Sequence, residues 1–306
     1  MKNLTYTFIL CGFTLWACTA GQEKQEALAS EGYSGEQSLS SNFDQGMIHL
    51  TQCGEGDTTC GEGDTTLFFV HGWGIDADYW AEQQTFFCPD YRVVSMDMMG
   101  FGKSGKEREA YSIEAYAADV NTLIEKLELS KVVLIGHSMG GDVVLEAALN
   151  QPKVIAVVGV DNFKEVGQVA DEQMQAEIDG FMGMLTENYQ EVVSQYAQAY
   201  LFDASTDSTI VNRVTTSLLE SDEAVAISSI GHYFEYSQNE AVKLRELDRK
   251  LFLINSENYP TDTLGLKNSG VEFEVISIGL TGHYPMNEKP DEFNGLLGKV
   301  LGKLGE

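Results

Sequence analysis

The sequence predicts an α/β fold, a mostly parallel β-sheet flanked by helices with an all-helical block inserted late in the chain. Three observations carry that reading. Short apolar runs rich in branched residues alternate with segments of helical spacing, the pattern of strands buried on both faces between crossover helices. The alternation stops over residues 164–247, where helical spacing continues with no strand between, and then resumes. The 306 residues with a 43% apolar fraction suffice for one large α/β domain with a real core.

The elements follow in order. Residues 1–18, "MKNLTYTFILCGFTLWAC", set one lysine before an apolar stretch too short to span a bilayer, which fits a secretory signal. Residues 19–42 are rich in Ser, Gly, Glu and Gln and read as a flexible tether. "MIHLTQ" (47–52) alternates apolar and polar residues and suits an antiparallel edge strand. The buried strands are "LFFV" (67–70), "YRVVSM" (91–96), "KVVLIG" (131–136), "VIAVVGV" (154–160), "LFLIN" (251–255) and "VEFEVISI" (271–278). Helices are expected from Ala77 to Phe87, Ile113 to Leu129, Met139 to Asn150 and about Asp291 to Leu304. Residues 43–163 and 248–306 thus form the core, and about four helices in 164–247 form a lid over the carboxyl edge of the sheet. Met174, Phe181, Met182 and Met184 either line an adaptable apolar pocket or pack the lid on itself.

Charge narrows the partners. Forty-seven acidic against 19 basic residues give a formal net charge of −28, which repels phosphate backbones and argues against nucleic-acid binding. A neutral substrate meets no such barrier.

Three segments can carry chemistry. In "VVLIGHSMGG", Gly136-His137-Ser138-Met139-Gly140 forms a G-x-S-x-G between a buried strand and a helix. A serine hydroxyl is a poor nucleophile and must be thrust out on a sharp turn where a base reaches it. The helix that begins there aims backbone N–H groups at developing negative charge. In "LFFVHGWG", glycines leave backbone amides unshielded, so the N–H groups of Trp73 and Met139 are candidates for an oxyanion hole, with His71 as a loop-fixing residue. In "LTGHYPMNEKPDEFN", His283 follows the last strand and is the candidate general base for Ser138. His49 lies in the edge strand, His137 beneath the serine turn and His232 in the lid, all less suited to that role.

The segments "FFVHGWG", "VVSMDMMGFGKSG", "LIGHSMGG" and "GHYPMNEKPDEFN" together resemble the α/β-hydrolase fold family, specifically serine hydrolases with a helical cap. The resemblance runs from about Met47 to the end and implies the chain order serine, acid, histidine. Serine rather than aspartate at 138 disfavours epoxide hydrolase and haloalkane dehalogenase chemistry. "GFGKSG" is no phosphate loop, because Asp97 stands where its first glycine belongs. The family's acid follows the strand equivalent to "LFLIN" in a G-x-x-D setting, and here "NSENYPTD" offers Glu257 and Asp262 out of register. A family variant places the acid one strand earlier, where "VVGVDNF" has Asp161. Asp161 ranks first, Glu257 second and Asp262 third. "LWAC" likewise resembles the bacterial lipoprotein cleavage box, which makes Cys18 the lipidated residue of a cell-envelope protein, periplasmic or at the cell surface. Ordinary secretion is the alternative.

"CGEGDTTCGEGDTT" (53–66) repeats seven residues, and the second copy alone suffices for the turn before "LFFV". Its carboxylates are too sparse for a calcium site, so no metal is expected. Cys53 and Cys60 are placed to pair across the loop, leaving Cys88 free. The implied activity is hydrolysis of a carboxylic ester with a small or medium neutral acyl group, without cofactor. Alternatives are C–C or amide cleavage or acyl transfer by the same triad, and, from another class, a ligand-binding receptor.

Overall fold

The computed structural model describes residues 35–40, 47–54, 65–167 and 171–305. The signal segment, Cys18, most of the tether and residues 55–64 of the repeat, with Cys60, lie outside the described residues.

Eight strands form one sheet: β1 (Gly35–Ser40), β2 (Met47–Cys53), β3 (Thr65–Val70), β4 (Arg92–Met96), β5 (Lys131–His137), β6 (Val154–Val160), β7 (Leu251–Asn255) and β8 (Phe273–Ser277). Their spatial order is β1-β2-β4-β3-β5-β6-β7-β8. β1 and β2 run antiparallel to their neighbours, and every pair from β4 through β8 is parallel. Central strands β3, β5 and β7 are apolar without alternation because both their faces are covered.

Among the described residues the helices of the core are α1 (Ala81–Phe87), α2 (Ile113–Lys126), α3 (Met139–Leu149), α9 (Thr263–Ser269), α10 (Pro285–Glu288) and α11 (Pro290–Leu304). Each boundary has a local cause. Ser112 Oγ accepts the Ala115 N–H at 3.2 Å to start α2, and Pro290 opens α11 where its missing N–H costs nothing. The single helix expected over 77–87 begins instead as a 3₁₀ turn, Ala77–Trp80. Its Trp80 is buried between Phe69 and Phe293, at ring separations of 4.9 and 6.2 Å.

Between β6 and β7 the chain adds α4 (Glu172–Glu187), α5 (Tyr189–Tyr196), a π-helical turn (Ala197–Leu201), α6 (Ser208–Glu220), α7 (Glu223–Ser237) and α8 (Glu240–Glu246). These helices meet the loops that leave the carboxyl ends of the strands. Trp73 Nε1 after β3 donates to Ala226 O at 2.9 Å, and the His283 N–H after β8 donates to Leu201 O at 2.9 Å.

Two sequence expectations need correction. "MIHLTQ" is not at the edge of the sheet, because Gly35–Ser40, assigned by composition to the tether, pairs antiparallel with all of its outer side as β1. An unpaired β2 would present a row of free backbone donors and acceptors, and β1 satisfies them. The cysteine pairing also differs: Cys53 bonds to Cys88, not to Cys60. Register explains it. β2 pairs with β4 so that Cys53 lies opposite Val93, which brings it beside the turn between α1 and β4, at a Cα separation of 5.6 Å from Cys88.

That bridge closes a loop of 35 residues, long enough for a loop-closure contribution of about 2–4 kcal/mol. Replacing both Cys53 and Cys88 by serine is therefore expected to lower stability by about that amount in thermal or denaturant unfolding. A Tm identical in the double variant, with and without reductant, is the contrary result.

Candidate active site

The sharpest local feature is Ser138. It joins β5 to α3 at φ 52° and ψ −127°, a conformation that a residue with a Cβ adopts only when its surroundings hold it. Gly136 and Gly140 make the turn possible by close approach: a Cβ at Gly136 would overlap Gly140 O, and one at Gly140 would overlap His71 O. Three bonds then fix the turn. The Ser138 N–H donates to Val160 O at 3.1 Å, Ser138 O accepts the Gly141 N–H at 2.7 Å, and it also accepts Asn162 Nδ2 at 2.8 Å.

His283 arrives from the far side of the sheet, after β8. Its N–H is held by Leu201 O, and its carbonyl accepts Nε2–H of His137, the neighbour of Ser138, at 2.7 Å. The His137 and His283 rings lie 4.7 Å apart. Burial, then the adjacent His283, pushes the His137 pKa down to about 3, so His137 is a neutral donor and not a competing base. Glu288 shapes the loop from below, accepting the N–H groups of Gly282 and Tyr284 at 2.9 and 3.3 Å and the Thr206 hydroxyl at 2.9 Å.

Asp161 meets His283. It ends β6 at φ 49°, and its Oδ2 accepts His283 Nδ1–H at 2.7 Å. Oδ1 accepts the Ser256 N–H at 3.0 Å and pairs with Lys164 Nζ at 2.5 Å. Burial pushes the carboxyl pKa up, but the bond and charge of His283, with the Lys164 ammonium, outweigh it and hold Asp161 below the ordinary carboxylate value. Its contribution to stability is therefore present above an unfolded value of about 4 and is lost as pH falls through the lower folded one. Glu257 does not join this cluster. Its Oε1 accepts the Ser277 hydroxyl at 2.6 Å on the exposed side of β8, and Asp262 caps α9 through Leu264 and Gly265 N–H.

The amide donors expected for an oxyanion come from the helix after the serine turn and from the loop after β3. Met139 opens α3, and Trp73 lies in the loop after β3, its indole tied to Ala226. Among the described residues neither backbone N–H has a protein acceptor. His71 fixes this loop, as its surroundings demand: Nδ1–H donates to Gly72 O at 2.7 Å, and Nε2 accepts the Met98 N–H at 2.9 Å. Gly72 is glycine because a Cβ there would lie 2.7 Å from His137 Nδ1. Of the other histidines, His49 pairs with Asp97 at 2.8 Å, and His232 bonds to Ser228 O within α7.

Sequence reasoning missed four residues that build the site. Asn162 straps the acid loop to the serine turn, and Asn255 holds Asn162 by accepting its N–H at 3.2 Å and donating to its carbonyl at 2.9 Å. Lys164 and Ser256 occupy the second oxygen of Asp161. Their only signal was proximity, in "DNFK" after β6 and "NS" after β7. Met174, Phe181, Met184, Tyr196, Tyr200 and Phe234 line part of a groove of about 520 Å³ formed by the inserted helices. Met182 is not among its lining residues, and packs toward Gly231 instead. The Tyr196 ring meets Trp73 edge-on at 6.4 Å.

The chain belongs to the α/β-hydrolase fold family, whose model matches residues 65–219. It is 34% identical over 131 residues to a non-heme chloroperoxidase from Burkholderia pyrrocinia, which covers 40% of this chain and 47% of that protein. It is 38% identical over 76 residues to a bifunctional esterase/perhydrolase from Acinetobacter calcoaceticus, covering 24% of this chain and 28% of that one. The chain thus spans less than half the length of these curated relatives. A thermophilic esterase from Thermogutta terrifontis shares the fold, with a TM-score of 0.73 at 18% identity over 88% of this chain and 99% of that one.

The two carboxylates are separable by experiment. Asp161→Asn removes the acceptor of His283 Nδ1–H and is expected to slow labelling of Ser138 by a fluorophosphonate probe by about 10⁴. Glu257→Gln is expected to cost about tenfold or less. Labelling rates measured on both variants decide the assignment, and the reverse ranking transfers the role to Glu257.

Proposed function

We propose that the protein is a serine hydrolase acting on carboxylic esters with a small or medium neutral acyl group, with Ser138, His283 and Asp161 as its catalytic residues. The observation that carries this reading is the 2.7 Å bond between His283 Nδ1 and the buried Asp161, made beside a serine held on a strained strand-to-helix turn.

The chemistry follows from those positions. Ser138 Oγ attacks the ester carbonyl while His283 Nε2 takes its proton, and Asp161 stabilises the imidazolium and holds the ring in one tautomer. The negative charge that develops on the carbonyl oxygen is received by the N–H groups of Trp73 and Met139, donors otherwise uncommitted. Collapse expels the alcohol, which leaves with the proton from His283, and water then attacks the acyl-enzyme by the same route in reverse. The groove of the inserted helices, one of whose lining residues, Tyr196, meets Trp73, is the candidate apolar surface for the acyl chain, and the net charge of −28 disfavours anionic substrates at long range.

A second reading differs only in what attacks the acyl-enzyme. The relatives named non-heme chloroperoxidase and esterase/perhydrolase support acyl transfer to hydrogen peroxide, giving a peracid in place of the acid. Peracid release from an ester with added peroxide, compared with hydrolysis, separates the two.

Ser138→Ala is expected to abolish ester turnover and probe labelling while thermal unfolding changes little. Hydrolysis at the parent rate by that variant sinks the mechanism. We further propose that Cys18 is lipidated and anchors the enzyme in a bacterial cell envelope, on the strength of "LWAC" after an apolar stretch. Cys18→Ser is then expected to move the protein from the membrane to the soluble fraction of an expressing bacterium. Mass spectrometry finding a mature N-terminus elsewhere, without lipid, ends that idea.

A further inference from the structure

One cation sits directly on the carboxylate that supports the base. Lys164 Nζ lies 2.5 Å from Asp161 Oδ1, the oxygen opposite the one bonded to His283. The pair is largely shielded, with 13% of the lysine side chain and 5% of the aspartate side chain exposed. The local backbone is shaped to bring the lysine there. Asp161 and Phe163 both adopt left-handed φ, 49° and 53°, which turns the chain back over the acid within three residues. Such conformations are unfavourable for residues with a Cβ, and here the surroundings hold them: Phe163 is buried, and Lys164 O accepts the Asp262 N–H at 3.2 Å.

The placement has a chemical consequence. A triad carboxylate works by stabilising the positive imidazolium that forms when the base takes a proton. When an ammonium already neutralises that carboxylate, the imidazolium forms beside a net-neutral pair, and the two cations repel through a medium that screens poorly. The other titratable groups around His283 do not supply this effect. His137 is neutral, and burial pushes the hydroxyl of Tyr284, whose ring lies edge-on to His283 at 5.5 Å, well above its ordinary value. Glu288 from α10 is bound by backbone N–H groups and Thr206.

We propose that Lys164 is a positioning residue that fixes the Asp161 carboxylate and restrains proton uptake by His283, so that the base remains free at lower pH than it would beside Asp161 alone. The proposal rests on the assignment of Ser138, His283 and Asp161 given above.

The test compares the parent with Lys164→Met and Lys164→Arg in two measurements. The pH profile of kcat/KM for a chromogenic ester reads the base through turnover. NMR titration of the His283 ring in the Ser138→Ala background reads it without turnover. Removing the charge is expected to move both the acid limb of the profile and the ring titration upward by about one pH unit. Lys164→Arg is expected to bring both back to the parent position. Should Lys164→Met not fold, Lys164→Gln carries the same comparison. A folded variant lacking the charge in which turnover falls but neither titration moves overturns the proposal and leaves the lysine a structural ion pair. If instead Ser138→Ala retains turnover, the assignment of the nucleophile fails, while the ring titration still reports whether Lys164 acts on His283.

Discussion

The carboxylate of Asp161 is where the loops that follow β6, β7 and β8 come together. A buried carboxylate is costly unless both oxygens are occupied, and here His283 takes one while Ser256 N–H and Lys164 take the other. Each partner comes from a different place in the chain, so satisfying one charged group aligns three loops. The parallel order β5-β6-β7-β8 makes this geometrically possible, since His283 must reach back across β7 to find an acid at the end of β6. Glu257, which follows the next strand, β7, turns away from His283 and accepts the Ser277 hydroxyl at the end of β8.

The Ser138 turn depends on the same cluster through Asn162. This residue directly follows the acid and donates to Ser138 O, so the strained serine turn and the acid loop share a hydrogen bond across the adjacent strands β5 and β6. Asn162 also bonds to Asp142 in the first turn of α3, at 3.3 Å. Burial pushes the Asp142 pKa up to about 6, and its partner Glu240 on α8 is raised well above the ordinary carboxylate value by burial and by Asp142. Burial and mutual repulsion disfavour ionising both carboxyls together. The pair joins α3 to α8, the last of the inserted helices.

Much of this was legible in the sequence because it is written in local patterns. Branched runs of five to seven residues mark β4 to β7, and G-x-S-x-G between a strand and a helix marks the serine turn, since both follow from backbone sterics over a few residues. What was not legible depends on register and on side-chain reach. Cys60 is the nearer partner of Cys53 along the chain, but the antiparallel pairing of β2 with β4 brings Cys88 to it in space. Gly35–Ser40 carries no apolar stripe in its sequence, and what places it in the sheet is backbone pairing with β2. Asp161 was named from the end of a strand, whereas Lys164 required knowing that two left-handed residues fold the chain back over the acid.

The inserted helices are wired into the same machinery rather than laid over it. Trp73, whose amide is one proposed oxyanion donor, is held by Ala226 of α7, and its ring meets Tyr196 of α5 on the wall of the groove. The His283 N–H is held by Leu201 at the end of the π-helical turn, and Glu288 beneath that loop is bound by Thr206. Tyr196, which lines the groove, therefore shares a ring contact with Trp73, while other residues of the insertion hold the Trp73 indole and the His283 loop. Packing of this kind transmits small displacements, because a close-packed interface yields in discrete shifts rather than smoothly. On the proposed reading, an acyl chain that displaces Tyr196 also displaces the loop that carries the Trp73 amide. Selectivity among acyl groups would then be expressed in turnover as well as in binding, because remote contacts help set the geometry at the carbonyl.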